Sequence, residues 1–180
     1  MNESIKILIT GPPRCGKTTL ITELASEIHN QGYNISGFVT TEVKSGKYRI
    51  GFRARDIVTK NECWLARKGG KDTKYMVGRY NVYIEQFNRL LDESFKGFTL
   101  NKSTDLCIID EIGKMELFSE KFISIVSDLF SSNLSVLATI GQKLKHPIKD
   151  QLLDLKNVKL YSLNSQNFNE IKTQILTHFT

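Results

Sequence analysis

Gly11-Pro12-Pro13-Arg14-Cys15-Gly16-Lys17-Thr18 has the spacing GxxxxGK[ST], and those residue types in that order can hold a chain of phosphates. Gly11 and Gly16 allow backbone geometry that a Cβ would obstruct, so successive N–H groups can turn into one concavity at a helix N-terminus. Lys17 adds a positive charge for the outer phosphates. Thr18 offers a hydroxyl to Mg²⁺, and Thr19 opens the helix that follows. The rival reading is a turn that matches by chance. Context speaks against it, because the motif stands between an apolar run and a helical pattern, where a phosphate loop must lie.

Leu106-Cys107-Ile108-Ile109-Asp110-Glu111 supplies the second chemical element. An apolar strand ending in an acid delivers Asp110 to the sheet edge beside such a loop, where it can hold the shell of a Mg²⁺ ion. Glu111, one position on, can reach the far side of a terminal phosphate and polarise a water, which makes hydrolysis the natural reaction. The bland alternative for Glu111 is a solvated loop acid. Thr139 ends a later strand and is a candidate sensor of the terminal phosphate or the water, against a strand-end threonine with no role. Cys15 lies where a thiol pKa can fall, yet it reads better as a spacer. His29, His146 and His178 read as surface residues. Asn101 to Asp105 (NKSTD) has one residue too many for a guanine-reading NKxD and gives no support for GTP selectivity.

These residues need a particular scaffold. Ile5 to Thr10 reads as a buried strand, and Lys17 to Asn30 as a helix with Leu20, Ile21, Leu24, Ala25 and Ile28 on one face and Gly32 as its stop. Ile35 to Val43 is a strand, Ser45-Gly46 a turn, and Tyr48, Ile50 and Phe52 alternate with Arg49, Gly51 and Arg53 as on a half-buried strand. A short strand at Glu62 to Ala66 extends this hairpin to a meander, and another lies near Tyr80. Helices follow at Glu85 to Phe95, from the Ser119 cap to Phe130, at Pro147 to Leu155 and from Phe168 onward. Strands occupy Asp105 to Ile109, Leu134 to Ile140 and Val158 to Leu163. Strand and helix alternation outside the meander predicts an α/β fold with a mostly parallel sheet.

The 180 residues are expected to form one domain, 1–180, large enough to bury about 70% of the surface of the unfolded chain. Cys15, Cys63 and Cys107 are odd in number, widely spaced and without a CxxC or Cys/His cluster, which argues for a reducing compartment and against zinc. Met1 to Ser4 is polar, no signal-peptide core follows, and nothing approaches ~20 consecutive apolar residues, so a cytoplasmic, non-membrane protein is expected. The net charge of +6 is local. Thr41 to Val82 holds eleven Lys and Arg against four acids, a net +7, and the remaining residues sum to −1.

Gly11 to Leu20 (GPPRCGKTTL), Gly37-Phe38 with Thr41-Glu42-Val43, Arg49-Ile50-Gly51-Phe52, Val77-Gly78 with Tyr80 and, most specifically, Ile108 to Phe118 (IIDEIGKMELF) together resemble the small P-loop nucleoside-triphosphatase family that includes the cancer-related nucleoside-triphosphatase. The likeness runs in order along nearly the whole chain. It implies a P-loop NTPase with a RecA-like, mostly parallel sheet flanked by helices, an inserted antiparallel β-hairpin or meander at about 41–82, and the Thr139 strand between the P-loop and Walker B strands. It also implies Mg²⁺-dependent hydrolysis of nucleoside triphosphates with broad base tolerance. The nucleotide would be held by Gly11, Pro12, Pro13, Arg14, Cys15, Gly16, Lys17, Thr18 and Thr19, and by Leu106, Cys107, Ile108, Ile109, Asp110, Glu111, Ile112 and Gly113. Thr18 and Asp110 would bind the metal, and Lys17 and Glu111 would act in catalysis.

Three positions depart from the family pattern. Arg14 stands where the family has Gly, Gly141 where a proline is expected, and Asn167-Phe168 where the family tends to have Asn-Arg. Two other readings stay open: a nucleotide-dependent kinase of a small or nucleic-acid acceptor, and a nucleic-acid-binding protein switched by nucleotide through weak contacts of the basic segment. A monomer is expected.

Overall fold

The structure is a computed structural model that describes residues 4–96 and 104–179. Its first strand, β1 (Lys6–Thr10), buries Ile7 and Ile9 on one face and Lys6 and Leu8 on the other, the pattern of a parallel strand covered on both sides. After β1 come α1 (Lys17–Asn30), β2 (Ile35–Ser45), β3 (Tyr48–Asp56), β4 (Glu62–Lys68), β5 (Tyr75–Val77), β6 (Tyr80–Val82) and α2 (Ile84–Ser94). The chain continues through β7 (Leu106–Ile112), a 3-10 turn at Glu116–Phe118, α3 (Glu120–Ser131), β8 (Ser135–Ile140), α4 (Pro147–Leu153), β9 (Val158–Ser162) and α5 (Phe168–Leu176). The strands form one sheet in the order β5-β6-β4-β3-β2-β7-β8-β1-β9.

From β2 to β9 all pairings are parallel, and β8 lies between β1 and β7. From β2 to β5 all are antiparallel. The expected insertion is therefore the continuation of the main sheet. Its seam is β2, which pairs with β7 over Ile35–Val39 and with β3 over Phe38–Ser45. The three-residue β5 escaped the sequence pattern because it is too short to show a period.

Helices α1 and α5 cover one face, where Leu20, Leu24, Ile28, Ile171 and Ile175 pack on Ile7, Ile9, Ile108 and Leu137. Helices α2, α3 and α4 cover the other, where Phe38 meets Phe87, Phe95 and Phe122 edge-on at centroid distances of 5.2, 6.3 and 5.9 Å. Each such side chain contributes about 1.5–3 kcal/mol through burial, which fixes β1 and β7 and hence the loops at their C-terminal ends. Ser119 caps α3 as expected, its Oγ accepting from the Phe122 N–H at 3.0 Å. The buried Lys6 ammonium donates to the carbonyl of Leu129 at 2.6 Å and to that of Leu134. It thereby caps the negative end of α3, although desolvation lowers its pKa to about 8. No helix among the described residues is long and apolar enough to cross a membrane.

Candidate active site

β1 ends at Thr10 and α1 starts at Lys17, so the glycine-rich motif is the turn between them. The two glycines are required for different reasons. A Cβ on Gly11 would stand 2.3 Å from the Leu163 carbonyl oxygen, whereas Gly16 adopts φ 101°, open to glycine and strained for other residues. Arg14 also lies in the left-handed region, at φ 66°, at a cost of roughly 1–2 kcal/mol. That conformation is one glycine adopts without strain. The Cys15 N–H closes the turn on the Pro12 carbonyl at 3.3 Å. No side chain caps α1, which leaves the amides of its first turn for an anion.

The acids approach from β7. Asp110 is 1% exposed. Its Oδ1 accepts from the Thr139 hydroxyl at 2.6 Å, while its buried Oδ2 has no hydrogen-bond partner among the described residues. Desolvation pushes the Asp110 carboxyl above the usual range, and the hydroxyls of Thr139 and Thr18 and the Lys17 charge oppose that shift. Lys17 Nζ donates to the Gly11 carbonyl at 3.2 Å and lies 3.8 Å from Glu111 Oε2. Glu111 is likewise raised, first by desolvation, with Lys17 pulling it down and Asp110 pushing it up. A third acid was not expected from the sequence. Glu116 is buried in the 3-10 turn, and its pKa is pushed up to about 8 by desolvation, then by the charges of Glu111 and Asp110. A Cβ on Gly113 would lie 2.7 Å from Glu116 Oε2 and 3.2 Å from Glu111 Oε1, so both carboxylates border that glycine. The available signal was the acid that closes IDEIGKME.

A cleft of about 780 Å³ joins these groups. One wall is the loop and the start of α1, and another is Asp110, Glu111 and the segment from Gly113 to Glu116. The segment from Gly141 to Leu144 contributes further. The remaining wall comes from the antiparallel half, with Thr40, Thr41, Glu42, Arg49, Phe52 and Val77; all but Thr40 lie in segments that carry the family resemblance, which assigned them no role.

A family model described as NTPase matches residues 6–176, which contain every wall of this cleft. The chain belongs to the NTPase family. Within that family it is 36% identical to the nucleoside-triphosphatase THEP1 of Methanocaldococcus jannaschii, over 96% of this chain and 98% of that protein. It is 34% identical to the cancer-related nucleoside-triphosphatase homolog of Bos taurus, over 96% and 95%. Among solved structures, THEP1 of Aquifex aeolicus aligns with a TM-score of 0.81 at 33% identity, covering 96% of this chain and 98% of that one. A human cancer-related nucleoside triphosphatase aligns at 0.80 and 31%, covering 97% and 96%. The P-loop NTPase-like architecture is thus shared by this NTPase and both structures.

Several of the predicted residues act on the site of this NTPase from outside the cleft. Leu106, Cys107, Ile108, Ile109 and Ile112 are fully buried. Their side chains hold β7 in the core and do not line the cleft, because a strand covered on both faces has no free side. Pro12 is exposed and offers only its carbonyl, 3.5 Å from Lys17 Nζ. The Cys15 side chain packs against the α1 cluster, as a spacer does. Thr139 is 0% exposed and donates to Asp110. It orients the acid from behind, through that hydrogen bond. His146 caps α4 through Nδ1, 3.2 Å from the Ile148 N–H, and His178 Nε2 meets the Tyr161 hydroxyl at 2.9 Å. Asn101, Lys102 and Ser103 lie outside the described residues.

The basic strands largely satisfy themselves. The Arg53 and Arg67 guanidiniums stand 4.7 and 4.9 Å from the Trp64 ring centroid, and Arg79 stands 5.9 Å from that of Tyr80. Arg53 also pairs with Glu62 at 2.9 Å.

Proposed function

We propose that this single-domain chain hydrolyses nucleoside 5′-triphosphates to diphosphate and phosphate, with Mg²⁺ and with broad tolerance of the base. The observation that carries this reading is the pair of acids near the C-terminal end of β7. One carboxylate oxygen, Asp110 Oδ2, is buried without a hydrogen-bond partner among the described residues, and the adjacent Glu111 is held 3.8 Å from Lys17 Nζ. An orphaned carboxylate oxygen with the Thr18 hydroxyl close by fits a hard cation. No three His, Cys, Asp or Glu cluster as a metal cage among the described residues, and Mg²⁺ commonly binds through one or two protein oxygens, water and substrate phosphates. When bound, the metal neutralises charge between the outer phosphates.

The chain's own residues do the rest. The first-turn amides of α1 and Lys17 bind the phosphates. As Lys17 turns to the phosphates it releases Glu111, whose carboxylate can then accept a proton from the attacking water. Thr139 keeps Asp110 in one orientation. Glu116, largely protonated at neutral pH, borders Glu111 without adding a second full negative charge. Base tolerance is supported by Phe168, whose ring carbons lie 3.5–3.6 Å from the position of a Cβ on Gly16. A ring beside the loop offers a face on which any base stacks, and Asn167 is occupied with Ser162 O and the Asn164 N–H. The proposal includes a cytoplasmic monomer and only weak nucleic-acid contact, through the exposed Lys44, Lys47, Lys68 and Lys71.

Phosphate release from ATP, GTP, CTP and UTP, with Mg²⁺ or with EDTA, with and without RNA, tests the reading. Release from all four within about tenfold, lost in EDTA and requiring no acceptor, is expected. Release only when a phosphate acceptor is added would establish a kinase instead.

A further inference from the structure

We propose that Arg49 is the arginine that stabilises the terminal phosphate during hydrolysis, and that Glu42 holds it ready in the cleft until a triphosphate arrives. The inference rests on the hydrolase reading above and extends it to the wall formed by the antiparallel half of the sheet. Arg49 lies near the start of β3, where the β2–β3 register shifts. Val43 pairs with Gly51 and Lys44 with Arg49, so Ile50 is the extra residue of a bulge, a device that re-aims a neighbouring side chain.

The Arg49 side chain faces the cleft alongside Lys17, Thr18 and Glu111. Its Nε lies 2.7 Å from Glu42 Oε1, its Nη2 donates to Oε2 at 3.2 Å, and its Cζ rests 5.1 Å from the Phe52 ring centroid. The guanidinium is thus oriented by an acid and a ring, yet 29% of the side chain remains exposed. Glu42 in turn lies in the field of Arg14 on the phosphate loop, as well as that of Arg49. Glu42 also lies 3.9 Å from Lys44 Nζ, so its closest cationic partners are both on the facing wall.

A planar guanidinium fork accepts a carboxylate and a phosphate in the same bidentate geometry. A single carboxylate fixes Arg49 while the cleft is empty. A terminal phosphate with three non-bridging oxygens is the stronger partner, most of all as charge spreads over those oxygens. In the step itself the water oxygen bonds to the γ-phosphorus and its proton passes to Glu111. The bond from that phosphorus to the β–γ bridging oxygen breaks, and its electron pair leaves with the diphosphate. Arg49 donates two N–H bonds to the non-bridging oxygens throughout and is chemically unchanged.

The test compares wild type, Arg49→Ala and Arg49→Lys in steady-state phosphate release from Mg·ATP, in ADP affinity and in trapping of ADP by aluminium fluoride, which imitates the transferring phosphoryl group. Arginines in this role are worth 10³ to 10⁵ in turnover. Both variants are expected to lose at least about 10²-fold in kcat and to fail to trap ADP with aluminium fluoride, with ADP affinity within about threefold of wild type. Added guanidinium should restore part of the Arg49→Ala rate, which a purely structural defect would not allow. If Arg49→Ala does not fold, Arg49→Lys carries the test, since it keeps the charge and loses the fork. Variants within about threefold of wild type, or a rate loss matched by lost ADP affinity and not rescued by guanidinium, would overturn the role of Arg49 alone. Wild-type protein that releases no phosphate would overturn the hydrolase reading and this role with it.

Discussion

The central parallel strands and the antiparallel extension belong to one sheet but are built on opposite rules. In β1, β7 and β8 nearly every side chain is buried, and the functional groups come at the C-terminal ends, on the loop after β1 and at Asp110 and Glu111. In β3 and β4 buried and partly exposed side chains are interleaved along the whole length, and cations lie on the strands themselves. The change occurs within β2, where Ser36 to Val39 are buried and the following residues are partly or fully exposed. The parallel part places charge by ending a buried strand. The extension places it by setting Arg49, Arg53, Arg67 and Arg79 against a ring or an acid, as Trp64 does for Arg53 and Arg67. A local charge of +7 therefore does not mean seven free cations. The proposed phosphate site draws on the near-neutral part, and the extension contributes Arg49, Phe52, Val77 and three residues of the seam strand to the same cleft.

Four substitutions press on this division. Lys17→Ala removes the one cation contributed by α1, and a loss on the order of 10² to 10³ in triphosphate affinity is expected. Calorimetric titration with a non-hydrolysable triphosphate measures it, and unchanged affinity would break the assignment of phosphate binding to the parallel part. Glu116→Gln comes next. The folded pKa of Glu116, about 8, lies above its unfolded value of 4.5. The stability this group contributes is therefore full below pH 4.5 and is lost as pH rises through 8. Wild type should lose about 2–4 kcal/mol relative to Glu116→Gln between pH 5 and pH 9 in urea denaturation, and parallel pH profiles would contradict this.

Trp64→Ala strikes the extension. Removing the ring between two guanidiniums is expected to cost about 2 kcal/mol in stability while KM for Mg·ATP stays within about threefold, and a large rise in KM would blur the division. Arg14→Gly is the smallest. It relieves a left-handed arginine but loosens the unfolded chain, so a gain of about 0.5 kcal/mol is expected, seen as a small rise in Tm.

Much of this was legible in the sequence because each legible part repeats a local rule. The bounds of α1 follow from its apolar stripe, and the loop, Asp110 and Glu111 follow from spacing between a strand and a helix. The illegible parts depend on contacts distant in the chain. That β2 belongs to both arrangements is decided by β7 on one side and β3 on the other. That Thr139 supports Asp110 is decided by a contact between residues 29 positions apart. Glu116 is made a buried acid by a single 3-10 turn, and Arg49 enters the cleft through a bulge that leaves no periodic mark.

The central claim is that Glu111, the acid after Asp110, activates water for attack on a triphosphate bound by the loop. Glu111→Gln tests it most directly, with phosphate release from Mg·ATP and nucleotide affinity measured on the same preparation. The account predicts a loss of about 10² to 10⁴ in kcat with affinity retained, and an unchanged kcat would contradict it.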